Sequence, residues 1–381
     1  MSNSLPGRPH LEHLKKQAKQ LLASHRRGDS AARRRFEAHL PAYRDGAPLK
    51  LHDAQSVIAR EHGSESWARL RDEVRMRVRL PDGEATHTLI VPAVGEKVRP
   101  ADRHINCIRF TPEGDTLVSA GMDGRIRLWR SADWKIVREV QAHPKSANTI
   151  SFHHDGAHLT TGCTDGLAGI WDWPSMERTA SLPAKTGAAS WFAPLGDRML
   201  SVGLNGRVHL WSWPDLARVA QIRAHPKKMT GHTFSPDGEE LVTCGLEGAI
   251  ARTSLATGET VDTRAVADKP IVNVRFVPGT DRIQIAEYGG NMRLLSWPDL
   301  EPIADTQTPA GIGTIEFHPS EDVFALCIDH GVEIRSNDTL ELLRSLEIPA
   351  KGVYTLAFSP DDRWLAAAGA DQRIRVWSMQ E

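Results

Sequence analysis

The stretch Ala147-Asn148-Thr149-Ile150-Ser151-Phe152-His153-His154-Asp155-Gly156-Ala157-His158-Leu159-Thr160-Thr161-Gly162-Cys163-Thr164-Asp165-Gly166-Leu167-Ala168-Gly169-Ile170-Trp171-Asp172-Trp173-Pro174 carries the unit from which the rest of the chain is built. Its first six residues end in polar–apolar alternation and predict an inner strand closing on Phe152. A turn at His153-His154-Asp155-Gly156 leads to a second strand through Leu159-Thr160-Thr161-Gly162. Asp165-Gly166 then predicts a tight hairpin, because both positions tolerate positive φ. The third strand runs to Trp171-Asp172, and Trp173-Pro174 turns the chain into a fourth, outer strand.

The same unit recurs. Turns equivalent to the one after Phe152 begin at Thr111-Pro112, His153-His154, Ala193-Pro194, Ser235-Pro236, Val277-Pro278, His318-Pro319 and Ser359-Pro360. The second residues of these pairs are separated by 42, 40, 42, 42, 41 and 41 positions. A period of about 40–45 residues with four short strands per repeat is that of a propeller blade. The expected fold is an all-β seven-bladed propeller with a small all-α N-terminal domain. Such a ring presents loops on a rigid frame, so function has to be argued from the loops.

At these residues the chain resembles the WD40-repeat family of β-propellers, over roughly residues 84–381. The resemblance implies a hydrogen-bonded structural set of His143, Thr161, Asp165 and Trp171 in blade two. A buried Asp tied to Trp and His would order a blade rather than catalyse. The hairpin positions read Asp123, Asp165, Asn205, Glu247, Gly289, His330 and Asp371. The third-strand Trp persists as Trp129, Trp171, Trp211 and Trp377, with Thr253, Leu295 and Ser336 in its place elsewhere. Only blade two keeps the whole set, so the other blades are expected to rely on apolar packing.

Three segments are expected: a basic helical domain at 1–76, a linker at 77–83, and the propeller at 84–381. The last repeat stops after its third strand, and Ala85-Thr86-His87-Thr88-Leu89-Ile90-Val91 is rich in β-formers. The family resemblance implies that this 85–91 strand completes the final blade and covers its open edge. In the prefix, Leu11, Leu14, Ala18, Leu21 and Leu22 mark one face of a first helix that stops near Gly28. Asp29 or Ser30 caps a second helix carrying Phe36 and Leu40, ending before Pro41. A third runs through Ala54, Val57 and Ile58, and a fourth carries Trp67, Leu70 and Val74. The wording from Leu14 to Leu22, and from Asp53 to Gly63 with Ser66-Trp67, is similar to a helical segment that precedes ankyrin repeats in bacterial proteins. That resemblance implies bacterial origin and an interaction role.

Charge is uneven although the net value is −1. Residues 1–76 hold 15 Lys and Arg against 9 Asp and Glu; the remainder holds 32 against 39. Arg33-Arg34-Arg35 could contact phosphate or simply form a solvated helix face. No apolar run is long enough for a membrane span, and the first residues do not read as a signal peptide. Cys107, Cys163, Cys244 and Cys327 fall in strands of four blades and read as reduced core residues. A soluble cytoplasmic protein is the expectation, with a monomeric propeller.

Two columns mark a functional surface. Seven residues before the Phe of each inner strand stand Arg103, Lys145, Lys185, Lys227, Lys269, Ala310 and Lys351, with Lys228 beside Lys227. The family's strand order puts this position around one mouth of the channel, where like charges attract anions. Duplication of an ancestral blade would also copy a lysine around the ring without purpose. Immediately before each hairpin stand Met122, Thr164, Leu204, Leu246, Tyr288, Asp329 and Ala370. The family resemblance puts these at the same mouth, either as an exposed apolar patch or folded over the channel. Cations around an apolar patch suit a peptide with apolar anchors and acidic flanks. The alternative is a polyanion or nucleic acid held by the lysine ring and the basic prefix together.

Trp173-Pro174, Trp213-Pro214 and Trp297-Pro298 read as structural turns on the opposite face. His153, His154 and His158 cluster on one turn, and with no Cys or carboxylate spacing to support zinc they read as solvated. No nucleophile elbow, phosphate loop or paired acid and base is present, so neither enzyme chemistry nor a cofactor is expected.

Overall fold

The structure is a computed structural model. It describes residues 11–379 except 42, 45–47, 71–79, 82, 93–103, 165, 184–188, 194–196, 203–206, 309–310 and 350–351. The chain divides into two compact units, one of residues 1–80 with 320–322 and one holding all the sheets.

In the first unit, helix α1 spans Leu11–Arg26, α2 spans Ser30–His39 and α3 spans Leu51–Glu61. The Asp29 carboxylate accepts the Ala31 N–H at 2.8 Å and caps α2, satisfying one of the donors a helix start leaves open. Leu14, Ala18, Leu21 and Leu22 of α1 meet Ala32 and Phe36 of α2 and Ala54, Val57, Ile58 and Ala59 of α3 in one core. The fourth expected helix is helical over residues 67–70, and Val74 lies outside the described residues. Two of the three consecutive arginines are paired within the unit. Arg33 reaches Glu37 at 3.0 Å, and Arg35 makes a two-pronged bond to Glu61 at 2.7 Å. That pairing favours a solvated, internally compensated helix face over a phosphate contact.

The second unit is the seven-bladed propeller that the repeat spacing predicts. Seven four-stranded antiparallel sheets follow one another, each built in chain order from inner to outer strand except the last. There, His87–Ile90 is the outer strand, paired with the third strand Arg373–Ser378 in the register His87 to Val376 and Ile90 to Arg373. Period-two alternation buries Leu89 and leaves Ile90 66% exposed. Further bonds tie the same corner, from Ser378 N–H to Thr86 Oγ1 at 3.0 Å and from Val91 N–H to the Gln372 carbonyl at 3.0 Å.

Cohesion is between blades as much as within them. Val118 and Ile126 of blade one share a core with Ile150, Leu159 and Trp171 of blade two. In blades one to six the third strand carries a register shift toward the outer strand at or just before the Trp column, at Leu128/Trp129, Ile170/Trp171 and Leu210/Trp211 for example, whereas blade seven pairs with its outer strand in continuous register. All four cysteines are buried thiols, and burial pushes the Cys244 thiol up to about 12.

In blade two, Trp171 Nε1 donates to Thr161 Oγ1 at 2.9 Å, and His143 Nε2 lies 2.9 Å from the same hydroxyl. Asp165 lies outside the described residues. Gly169 sits against this chain: a Cβ there would come within 2.8 Å of Trp171 Nε1 and 2.9 Å of Thr161 Oγ1.

The expectation that the remaining blades rely on apolar packing is incorrect. In blade four, His225 bridges Glu247 and Thr243, at 2.8 Å from Thr243 Oγ1, without any Trp. Blades one, five and seven instead use a third-strand arginine. Arg127, only 2% exposed, pairs with Asp123 at 2.6 Å, Arg293 with Glu287 at 2.8 Å, and Arg375 with Asp371 at 2.6 Å. The arginines stand four residues beyond the hairpin position, where blades two and four have Gly169 and Ala251. A small residue there goes with the His–Thr chain and an Arg with the carboxylate pair. Five blades thus fill one buried polar slot by one of two chemistries, since buried polar groups have to be partnered, while blades three and six carry His209 and Ile334 at that position.

Two outcomes are expected in thermal or denaturant titrations. Removal of residues 1–92 strips the outer strand of blade seven with buried Leu89 and Val91, and costs about 3–6 kcal/mol or aggregates the propeller. Removal of residues 1–80 leaves the melting of the propeller unchanged; equal melting of both truncations would contradict the closure. Gly169→Ala costs on the order of 1–3 kcal/mol by crowding the Trp171–Thr161 bond. Ala251→Gly in blade four, with no such bond beside it, costs less than 1 kcal/mol or so.

Candidate functional site

The hairpins joining second and third strands and the loops leading into inner strands share one mouth. Within a blade the residue before the hairpin donates its N–H to the lead-in loop. Met122 bonds the His104 carbonyl at 2.9 Å, Thr164 that of Ser146 at 3.3 Å, Leu246 that of Lys228 at 3.1 Å, and Tyr288 that of Pro270 at 2.7 Å. The apolar and cationic columns are therefore side by side. Between blades, Gly124 holds the next lead-in loop: its carbonyl accepts the N–H groups of Ala142 and His143, both at 3.0 Å. Gly124 has φ +73°, and a Cβ would lie 2.3 Å from the Lys145 carbonyl, so the approach requires glycine.

Met122, Leu246 and Tyr288 are 40, 38 and 71% exposed, which answers the question of whether they fold over the channel. Lys145, Lys227, Lys228 and Lys269 are exposed, and none of them makes an ion pair among the described residues. The acids of the same hairpins are consumed internally: Asp123 by Arg127, Glu247 by His225, Glu287 by Arg293 and Asp371 by Arg375. The arginines compensate three of these charges where they stand, and His225 holds Glu247 by a hydrogen bond, which leaves the lysines to set the potential of the rim. Arg103, Lys185, Lys351 and Leu204 lie outside the described residues. Blade six breaks the pattern with Asp329 and His330. The carboxylate–Arg pairs were not anticipated from the sequence, although the acid-to-Arg spacing in blades one and seven was there to be read.

On the opposite face, Trp173, Trp213 and Trp297 stand edge-on to Phe152, Phe192 and Phe276 of their own blades at 5.3, 5.0 and 4.8 Å. They cover the ends of inner strands. The histidine turn is not the solvated turn expected: His153 is buried against Phe192 and Trp213. Asp155, the carboxylate overlooked in the spacing, lies 2.9 Å from His153 Nδ1 and 2.8 Å from His158 Nδ1. Among the described residues these three side chains are the group with the donors and spacing to hold a cation. Burial pushes the Asp155 carboxyl up, but bonds from Ala157 N–H and both rings outweigh it and hold the acid below the usual range. The turn is thereby ordered by its own hydrogen bonds.

The sequence pattern described as "WD domain, G-beta repeat" matches residues 95–130, 134–172 and 340–378, in blades one, two and seven. The chain is a WD40-repeat β-propeller. It is similar to Telomerase protein component 1 of Mus musculus, 31% identical over 73% of this chain but spanning only 11% of that protein. It is also similar to WD repeat-containing protein 55 of Arabidopsis thaliana, 22% identical over 72% of this chain and 80% of the relative. The rat Serine-threonine kinase receptor-associated protein is 22% identical over 70% of this chain and 77% of its own length. Among solved structures, the β-propeller domain of Cps50 (Swd1) from Myceliophteria thermophila superposes with a TM-score of 0.68 at 18% identity, covering 77% of this chain and 99% of that one. These relatives are eukaryotic, so they give no support to the bacterial origin read from the helical prefix. No helix among the described residues is long and apolar enough to cross a membrane.

Where the inner strands of blades three and four meet, His232 packs on Trp191 at 3.9 Å between ring centroids. Burial, and secondarily the charge of Arg275, lowers its pKa to about 3. An unfolded His titrates near 6.5, so the unfolded chain binds the extra proton first as pH falls. The neutral ring's contribution is complete above pH 6.5 and declines from there toward pH 3 by about 1.4 kcal/mol per unit. Between pH 7 and 5 the wild type is therefore expected to lose about 2 kcal/mol more than His232→Gln in denaturant titrations. Parallel curves would show that His232 is not the titrating group.

Proposed function

We propose that the protein is a non-enzymatic interaction scaffold whose lysine-ringed mouth binds an acidic peptide segment carrying apolar anchors. The observation behind this reading is the pairing of the two columns on one rim. Leu246 is bonded to the Lys228 carbonyl and Tyr288 to the Pro270 carbonyl, with Lys269 next in sequence. Apolar side chains exposed on a rigid rim, flanked by cations whose neighbouring acids are already paired, match a partner segment of opposite charge and similar apolar content. The interruption at Asp329 makes the rim asymmetric, which would orient such a segment.

Polyanion or nucleic-acid binding is the second reading. It draws on the 31% identity to a protein named as a telomerase component, although the chain spans only 11% of that relative. The internal pairing of Arg33 and Arg35 weakens the contribution that the helical prefix would make. An interaction role for that prefix, and its bacterial affinity, rest on wording alone.

The test is calorimetric titration with a partner recovered by affinity purification. Lys145→Glu combined with Lys227→Glu should weaken a peptide partner at least about a hundredfold, from like-charge repulsion, with an unchanged melting temperature. Leu246→Asp should weaken it with little change in salt dependence. A steep logarithmic loss of affinity with salt in the wild type points to phosphate neutralisation and the second reading. Unchanged affinity of the double Glu variant rejects the mouth as the binding surface.

A further inference from the structure

The residue before each inner-strand Phe forms a layer of the channel wall, and three blades give it charge: Arg109, Arg275 and Glu316, with Ala357 standing between Glu316 and Arg109. Arg109 of blade one approaches Glu316 of blade six at 3.9 Å, past blade seven. Blade seven presents only Ala357 there, so the pair meets across the channel. Arg109 is also anchored to the carbonyls of Ile108 at 3.0 Å and Leu356 at 3.2 Å. Arg275 of blade five has no hydrogen bond or ion pair among the described residues. Burial lowers its pKa; Glu316 opposes that shift, and the charge of Arg109 adds to it. Two guanidiniums thus share one carboxylate in a confined space, and nearby His232, held neutral, adds no charge of its own. Arg109 and Glu316 are 27 and 29% exposed and Arg275 is half-buried, so the layer is open to solutes, and its surplus positive charge favours a counter-ion.

We propose that this layer is a phosphate site in which Arg275 and Arg109 clamp the oxyanion while Glu316 accepts a hydrogen bond from a protonated phosphate oxygen. Guanidinium forks suit tetrahedral oxyanions, and two of them supply the charge. Glu316 gives the site its selectivity. An acceptor beside the anion is favourable only when the anion carries an O–H, as hydrogen phosphate and the singly protonated form of a phosphate monoester do and sulfate does not. The phosphate can be free or the monoester of a phosphorylated side chain. This site is independent of the lysine rim, because the layer lies at the far end of the inner strands from the lead-in loops.

Isothermal titration at pH 6.5 with inorganic phosphate, O-phosphoserine and sulfate tests the assignment. The wild type is expected to bind phosphate at least about tenfold tighter than sulfate, the difference made by one charge-assisted hydrogen bond. Binding of O-phosphoserine as well as phosphate identifies a phosphorylated side chain as a source; phosphate alone identifies the free ion. Arg275→Met should lose phosphate binding by at least about tenfold, and in phosphate-free buffer it should melt no lower than the wild type. Glu316→Gln should keep the fold and bring phosphate and sulfate to within about twofold of each other. The rim variant carrying Lys145→Glu and Lys227→Glu should bind phosphate as the wild type does. Equal binding of phosphate and sulfate by the wild type would overturn the proposal. So would phosphate binding that survives Arg275→Met or disappears in the rim variant.

Discussion

The propeller depends on one edge being covered. A ring of seven sheets in chain order leaves the third strand of the last blade with its N–H and C=O groups unpaired on one side, and His87–Ile90 supplies the missing partners. The consequence is geometric as well as energetic. Once the first strand is locked into the last blade, every blade has a neighbour on both sides and the inter-blade cores cannot slide. The lead-in loops, held by hairpin carbonyls such as that of Gly124, inherit that rigidity. A binding rim built from loops is useful only if the loops keep their places, and here the backbone of one blade positions the loop of the next.

The second constraint is the polar slot between hairpin and third strand. It recurs because the blades are duplicated, yet two different chemistries fill it. In blades two and four a His reaches a Thr of the second strand; in blades one, five and seven an Arg of the third strand takes the acid. At Gly169 a Cβ would crowd the Trp171–Thr161 bond, whereas blade one holds Arg127 together with a Trp129–Ser119 bond of 2.9 Å. This economy also shapes the surface. By holding the hairpin acids inward, the slot removes negative charge from the rim and lets Lys145, Lys227, Lys228 and Lys269 dominate it.

The relatives place this architecture among proteins whose names speak of assemblies and receptors, but the resemblance is to their propellers. What this chain holds of its own is the pattern of its mouth and the charged layer in its channel. The mouth combines cations with exposed Met122, Leu246 and Tyr288. The channel layer concentrates two arginines around a single glutamate. These are two separate electropositive features at different depths, and nothing in blade duplication requires the second, since Arg109 and Arg275 have Ser151, Trp191 and Thr233 as counterparts in the intervening blades.

The repeat, the blade boundaries and most of the core were legible in the sequence. Strand alternation and the Asp-Gly and Pro-containing turns are local signals, and a 41-residue period repeats them seven times. The helical prefix was equally readable in its caps and apolar faces, from Leu14 to Ile58. The Lys145–Lys227–Lys269 column could be listed from spacing alone, but not its freedom from ion pairs. That required knowing that Asp123 and Glu247 turn inward to Arg127 and His225. Likewise the role of Asp155 between His153 and His158, and the meeting of Arg109 with Glu316 across blade seven, could not be read from residue order. Sequence determines which side chains each strand carries, because periodicity and turn chemistry act over a few residues. Tertiary structure decides which charges are compensated and which are left over, because several partners can stand near a charge in the chain, and the fold selects among them, from Arg127 four residues beyond Asp123 to Glu316 some two hundred residues from Arg109.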